Sequence, residues 1–129
     1  SPALAWAGAP AGTMSFAIVL TDKSNNLVHS VIYDIPSTAT GVPENVQKAY
    51  APANVPGAHQ TTTLGGGRGY AGPCPNPQDG PHTYEFALFA INAATLPGAM
   101  MATNRLQAVA LINDNDIATT LLTGTHDRN

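Results

Sequence analysis

Four residues with acid–base or hydrogen-bonding chemistry stand at the ends of apolar rows in the sequence. They are Asp22, His29, His82 and Tyr84. Side chains alternate between the two faces of a strand, so a polar residue that ends an apolar row lies where a core meets solvent. We therefore expect each of the four side chains at the rim of a core, near the loop rich in Gly and Pro that precedes His82.

These residue types suit the binding of an anion. A phosphate is bound most strongly by donors that are charged or partly charged. His29 and His82 donate when they are protonated, Tyr84 donates its hydroxyl, and backbone N–H groups around Gly72 add further donors. Asp22 is expected to hold one imidazole in a fixed tautomer and to raise its pKa, which makes the ring a better donor.

Other interpretations of the same residues stay open at this point. Asp22 alone is typical of a turn, and a histidine on an apolar strand face is typical of a core. Two histidines and a carboxylate also match the composition of a metal site. Cys74 with His82 has the composition of a thiol nucleophile and its base, although the prolines around Cys74 favour packing.

Three strand-like segments position these residues. The segment 15–22 carries Asp22 on the face of its apolar residues, and the segment 28–35, ended by Pro36, places His29 on the face of Val31, Tyr33 and Ile35. The segment 83–91 follows His82 and is apolar on both sides, which is typical of a strand covered on both faces.

The remaining chain divides into loops and a helical region. Two long stretches punctuated by Gly and Pro, at 37–69 and 72–81, predict functional or irregular loops. After residue 103 the pattern becomes helical: Thr103 or Asn104 can cap one helix, and Asp114 or Asn115 a second short one that ends near Gly124.

Composition excludes several classes of protein. Only 10% of residues are charged, the net charge is −3, and the five Lys and Arg are scattered along the chain, which argues against a nucleic-acid partner. No apolar run approaches the ~20 residues of a membrane span. The single cysteine cannot form an intrachain disulfide, and the low Lys content favours a secreted or periplasmic location over the cytoplasm. The sequence begins at Ser1-Pro2 without a signal peptide, as expected of a mature, trimmed or truncated product.

Several segments, in order, resemble the phosphatidylethanolamine-binding protein family, also called Raf kinase inhibitor-like proteins in its bacterial branch. They are SPALAW at 1–6, PAGT at 10–13, TD at 21–22, HSVIYDIP at 29–36, and GYAGPCP at 69–75 leading to HTY at 82–84. The resemblance implies a mainly β fold, a Greek-key β-sandwich with short C-terminal helices, in a single domain over residues 1–129. It also implies a pocket for phosphate, acetate-like anions or phospholipid head groups, without a metal or cofactor. In this sequence the pocket residues are Asp22, His29, Gly72, Pro73, His82 and Tyr84. They should converge on one cavity, with the loop from Gly72 to Pro75 as its wall.

The sequence departs from the family pattern at three places. The usual Asp-Pro-Asp-Ala-Pro is Asp22-Lys23-Ser24-Asn25-Asn26, so a second carboxylate and both prolines are lost. The usual His-Trp is His29-Ser30, which removes a large aromatic ring. The family's usual first strand is absent, and we expect a partner chain to cover the sheet edge that this leaves, as a homodimer.

Three functions follow as hypotheses. The favoured one is a non-catalytic module that binds a phosphorylated or carboxylated small molecule or a phospholipid head group. The second is an enzyme, a lyase, cyclase or hydrolase, in which His29 or His82 is the general acid or base, Asp22 orients it and Tyr84 stabilises an oxyanion. The third is a regulator of a kinase or protease, which rests on the resemblance alone.

Overall fold

The structure is a computed structural model that describes residues 1–72 and 82–126. Its strands are β1 (Leu4–Ala5), β2 (Ser15–Asp22), β3 (Leu27–Pro36), β4 (Gly41–Val42), β5 (His59–Gln60), β6 (His82–Ile91) and β7 (Asp116–His126), and its helix is α1 (Arg105–Asn115). The predicted mainly β fold, with helix confined to the last quarter of the chain, is confirmed.

Two antiparallel sheets carry the fold. The larger has the strand order β5-β3-β2-β6-β7, and the smaller pairs β1 with β4. Strand β2 lies at the centre and is almost wholly buried, because one face of the large sheet packs under β1, β4 and the loops that follow, while α1 covers the other. This placement explains why β2 is nearly continuous in apolar residues.

Two irregularities in β3 set the directions of its side chains. Phe16 to Ile18 on β2 pairs with Ile35 to Ile32 on β3, and Leu20 to Thr21 pairs with Ser30 to Val28, so β3 carries one extra residue at each place. Each extra residue is a β-bulge, which shifts the alternation of faces by one position. Asp34 lies in the first bulge with a left-handed φ of 59°.

The bulges overturn the predicted row on β3. Val31 and Tyr33 belong to the core beneath α1, whereas Ile35 packs in the core on the opposite face of the sheet, with Phe16. His29 was expected to share the face of Val31. Its ring instead contacts Tyr84, whose own face is that of Asp22. A strict period of two cannot anticipate an extra residue.

The helix begins and ends close to the predicted positions. Asn104 is the N-cap, and its side chain accepts from the Gln107 N–H at 2.8 Å while its own N–H donates to the Gln107 side chain at 2.9 Å. The second short helix predicted up to Gly124 is wrong, since residues 116–126 form β7 along β6. The reason is visible in the segment ATTLLTGT, whose threonines favour a strand over a helix.

In the part of the chain that the structure describes, no helix has the length and apolar character needed to cross a membrane.

The helix supplies a direct test of this packing. Ile112 is fully buried beneath the sheet, whereas Leu106 on the same helix is 68% exposed. Replacing Ile112 by Ala is expected to lower the free energy of unfolding by about 2–5 kcal/mol, because the change leaves a cavity in the core. Leu106→Ala is the matched control and should change it by less than about 0.5 kcal/mol. Urea denaturation of both variants measures the difference, and equal losses would contradict the orientation of α1.

Candidate functional site

Asp22 is the carboxylate around which the candidate site is built. It ends β2 and lies opposite Tyr84 on β6 and Leu27 on β3. Although it is only 2% exposed, its carboxylate is well satisfied: Oδ2 accepts from His82 Nδ1 at 2.7 Å, and Oδ1 accepts from the Ser24 N–H at 2.9 Å. The turn at residues 22–24 is therefore closed by the same carboxylate that holds the histidine.

The ionisation of Asp22 reflects a balance of opposing effects. Burial acts to raise the pKa of this carboxyl group, but hydrogen bonds from His82 and from the Ser24 N–H, together with the charges of His82 and His29, lower the pKa below its usual value. The carboxylate is consequently charged at neutral pH. It is a buried anion that needs cationic or dipolar partners beside it.

His82 is fixed in one tautomer by this contact. A carboxylate can only accept hydrogen bonds, so Nδ1 of His82 carries a proton and donates the hydrogen bond to Asp22. Nε2 is then the ring atom that gains a proton when the imidazole becomes charged. The side chain is 13% exposed, at the start of β6. The hydrogen bond to Asp22 therefore holds the His82 ring in one orientation.

Tyr84 lies between the two histidines. The His29 ring meets the Tyr84 ring edge-on, with centroids 5.7 Å apart and an interplanar angle of 80°, and the His82 ring stacks on it at 6.4 Å and 27°. His29 is 7% exposed, and its buried Nδ1 has no hydrogen-bond partner among the described residues. A buried ring nitrogen without a partner destabilises the folded protein, and a hydrogen bond with a bound ligand would remove this unfavourable contribution.

The structure thus brings together four of the six predicted site residues, Asp22, His29, His82 and Tyr84. Gly72 lies beside the Tyr70 ring, so closely that a Cβ atom at Gly72 would come within 2.9 Å of Tyr70 Cε2. Pro73 lies outside the described residues, as do Cys74 and Pro75 and with them the predicted wall and the suggested thiol nucleophile. Among residues 1–72 and 82–126, His, Cys, Asp and Glu side chains form no group of three able to hold a metal ion.

A second histidine–carboxylate pair was missed by sequence reasoning. His59 Nδ1 lies 2.7 Å from Asp34 Oδ2, and the other oxygen of Asp34 accepts from the Leu96 N–H at 2.6 Å. The His59 ring also stacks on Tyr50 at 4.6 Å. Asp34 thereby ties β3 to β5 and to the loop that carries Leu96. Nothing in the sequence signals a pair that is 25 residues apart and depends on a bulge.

Arg68 is likewise held in place. Its Nη1 donates to the Gln60 carbonyl at 2.9 Å, and its guanidinium lies 5.5 Å from the centre of the Tyr50 ring. The arginine is therefore engaged next to the His59 pair.

Comparisons with known proteins agree with the fold. The chain matches the family model for phosphatidylethanolamine-binding protein over residues 1–127. The UPF0098 protein YbcL of Escherichia coli is 30% identical over 131 residues, covering 98% of this chain and 71% of YbcL. A UPF0098 protein of Aquifex aeolicus is 36% identical over 105 residues, covering 77% of this chain and 60% of that protein.

Solved structures give the same answer. The crystal structure of Escherichia coli YbcL, described as a new member of the mammalian PEBP family, matches with a TM-score of 0.89 at 30% identity, covering 100% of this chain and 80% of that one. A phosphatidylethanolamine-binding protein homologue of Chlamydia trachomatis matches with a TM-score of 0.80 at 23% identity, covering 100% and 82%, which shows the fold alone. The chain belongs to the phosphatidylethanolamine-binding protein family, and membership supports a ligand-binding module.

The lowered pKa of Asp22 predicts a specific dependence of stability on pH. Its contribution is fully present above the unfolded pKa, near the ordinary value of 3.8, and is lost as the pH falls through the folded pKa. Asp22→Asn should therefore cost about 1–3 kcal/mol at pH 7, the range for a hydrogen bond to a charged group, and much less at pH 3. Denaturant titrations across this pH range measure the effect.

Asp114→Asn is the matched control for this experiment, because Asp114 is exposed on the last turn of α1. It should leave the pH dependence of unfolding close to that of the unmodified protein. A cost for Asp22→Asn that stays constant from pH 7 to pH 3 would show that the charge of this carboxylate contributes nothing to stability.

Proposed function

We propose that this domain binds a small phosphorylated or carboxylated molecule at Asp22, His29, His82 and Tyr84. The observation that carries the proposal is the buried Nδ1 of His29, which faces no hydrogen-bond partner among the described residues and lies in a ring that contacts Tyr84. A ligand oxygen would satisfy this atom, and a charged ligand oxygen would do so most strongly.

The charges around the cluster favour an anion. Both oxygens of Asp22 already accept hydrogen bonds, from His82 and from the Ser24 N–H, so its charge does not face a ligand uncompensated. Protonation gives each imidazole a second N–H donor, and a bound anion stabilises that protonated form.

A free phosphate and a phospholipid head group offer the same chemistry to such a site. The two sources differ in what is attached to the phosphate, so inorganic phosphate and phosphoethanolamine serve as separate probes. A phospholipid head group is supported by the family description alone. The geometry of the cluster supports only the binding of anionic oxygens, whichever group carries them.

A secreted or periplasmic location remains part of the proposal. A relative from Mycobacterium tuberculosis, 33% identical over 118 residues and covering 85% of this chain and 53% of its own, carries the name lipoprotein LppC. That name agrees with a place in the cell envelope. The predicted homodimer stays a prediction, with β7 as an edge strand of the described sheet.

Acid–base catalysis is a second candidate function, favoured by one observation. The 2.7 Å contact that orients His82 on a buried carboxylate is the arrangement that a general base requires. Binding without turnover supports the module, whereas loss of a phosphomonoester or carboxylic ester from solution, abolished in the His82 variant below, supports the enzyme. No described contact favours regulation of a kinase or protease over either function.

The central test removes the ligand-facing chemistry of His82 and keeps its structural role. His82→Ala is less suitable, because His82 is the hydrogen-bond partner of a buried carboxylate and the alanine variant would leave the charge of Asp22 buried without that partner. His82→Asn is better, because the amide N–H₂ of Asn can replace Nδ1 as donor to Asp22 while Nε2 and the positive charge are lost.

We expect His82→Asn to weaken the binding of phosphate and phosphoethanolamine by at least about tenfold, since a charge-assisted hydrogen bond contributes about 1.5–3 kcal/mol. Isothermal titration calorimetry at pH 6 measures both ligands. His59→Asn is the matched control: it makes the same chemical change at the other histidine–carboxylate pair and should leave binding unchanged. Equal effects of the two substitutions would place the anion site elsewhere.

A further inference from the structure

An apolar cavity lies directly beside the polar cluster. Its lining includes Ile18 and Leu20 from β2, Ser30 from β3, Val42 from β4, Phe86 from β6 and Tyr70. All of these except Ser30 are apolar or aromatic. Tyr70 is half-buried, and this partial burial raises the pKa of its hydroxyl.

The register of the sheet relates the cavity to the cluster. Asp22 pairs with Tyr84, and the next row on the same face pairs Leu20 with Phe86 on one side and with Ser30 on the other. Successive residues on one face of a strand are about 7 Å apart. The cavity therefore begins one side-chain row away from the carboxylate and the tyrosine of the candidate anion site.

Ser30 is the smallest side chain in the row of Leu20, Ser30 and Phe86 that lines the cavity. Ser30 follows His29 in the chain and is 7% exposed. Its small side chain lies among larger apolar neighbours and leaves part of the space between them empty. The cavity has a volume of about 40 Å³. A single water needs about 10–15 Å³ of space, so the cavity is small and suits a short substituent.

We propose that Ser30 creates a subsite for a short alkyl group, so that the ligand of this domain is a small anion carrying an apolar substituent of about three carbons. The inference rests on the proposed anion-binding function and narrows its ligand class. The anionic oxygens bind at His29, His82 and Tyr84, and the substituent enters the cavity between Leu20, Ser30 and Phe86. A diacyl lipid tail is too large for this space.

A series of alkylphosphonates tests the subsite in the unmodified protein. Each buried methylene contributes about a fourfold gain in affinity, so propylphosphonate is expected to bind about fifteenfold more tightly than methylphosphonate. Hexylphosphonate should bind within about fourfold of propylphosphonate, because the cavity is then full. Calorimetry at pH 6 gives the dissociation constants, with inorganic phosphate as the reference without an alkyl group.

Two variants at Ser30 locate the effect. Ser30→Val replaces the hydroxyl by two methyl groups, on a side chain that strands favour, and so fills part of the space. It should reduce the ratio of the propylphosphonate affinity to the methylphosphonate affinity to about threefold or less. Ser30→Ala removes the hydroxyl without filling the cavity and should keep the ratio. Thermal melts of both variants confirm folding, and the phosphonate series in the unmodified protein decides the question even where a variant fails to fold.

The outcomes separate this inference from the proposed function. If methylphosphonate and phosphate bind but the affinity is flat from methyl to propyl, the alkyl subsite is wrong and the anion site stands. If affinity climbs steadily through hexyl and beyond, the substituent lies in an open groove, and the subsite is again wrong. If neither methylphosphonate nor phosphate binds at all, the anion site itself is overturned.

Discussion

The buried contact between Asp22 and His82 is the constraint on which the rest of the site depends. A carboxylate that is 2% exposed is tolerated only when its oxygens are hydrogen-bonded, and here a histidine from β6 and a backbone N–H from the following turn meet that need. The contact joins the end of the central strand to the start of its neighbour across 60 residues of sequence. It fixes the tautomer of His82, and it brings that ring against Tyr84.

The bulges in β3 complete the arrangement from the other side. An extra residue at His29 turns this side chain away from the core beneath α1 and toward Tyr84, so two strands present a histidine to the same tyrosine. The other bulge places Asp34 where it can accept hydrogen bonds from His59 and from the Leu96 N–H. The same backbone device thus serves two purposes: at one end of β3 it builds the candidate site, and at the other it ties loops to the sheet.

That Asp22, His29, His82 and Tyr84 lie close together was predicted from the sequence more accurately than the backbone that positions them. Asp22 and Tyr84 follow regular alternation on β2 and β6, so their shared face could be derived from periodicity. His29 could not be placed in this way, because one extra residue in β3 reverses the alternation and leaves no mark in composition. The threonines of β7 favoured a strand, yet the segment was assigned to a helix, because the pairing with β6 that decides the matter is a long-range contact. His59 and Asp34 depend on a bulge and on β5 together, so local reasoning had no access to their contact.

The claim that His29 and His82 bind an anion together is tested most directly by nitrogen-15 NMR of the imidazole rings during a titration with inorganic phosphate. The account predicts that the ring nitrogens of His29 and His82 shift together with one dissociation constant, while those of His59, bonded to Asp34, remain unchanged. A titration that moves the His59 resonances alone, or none of the three, would contradict it.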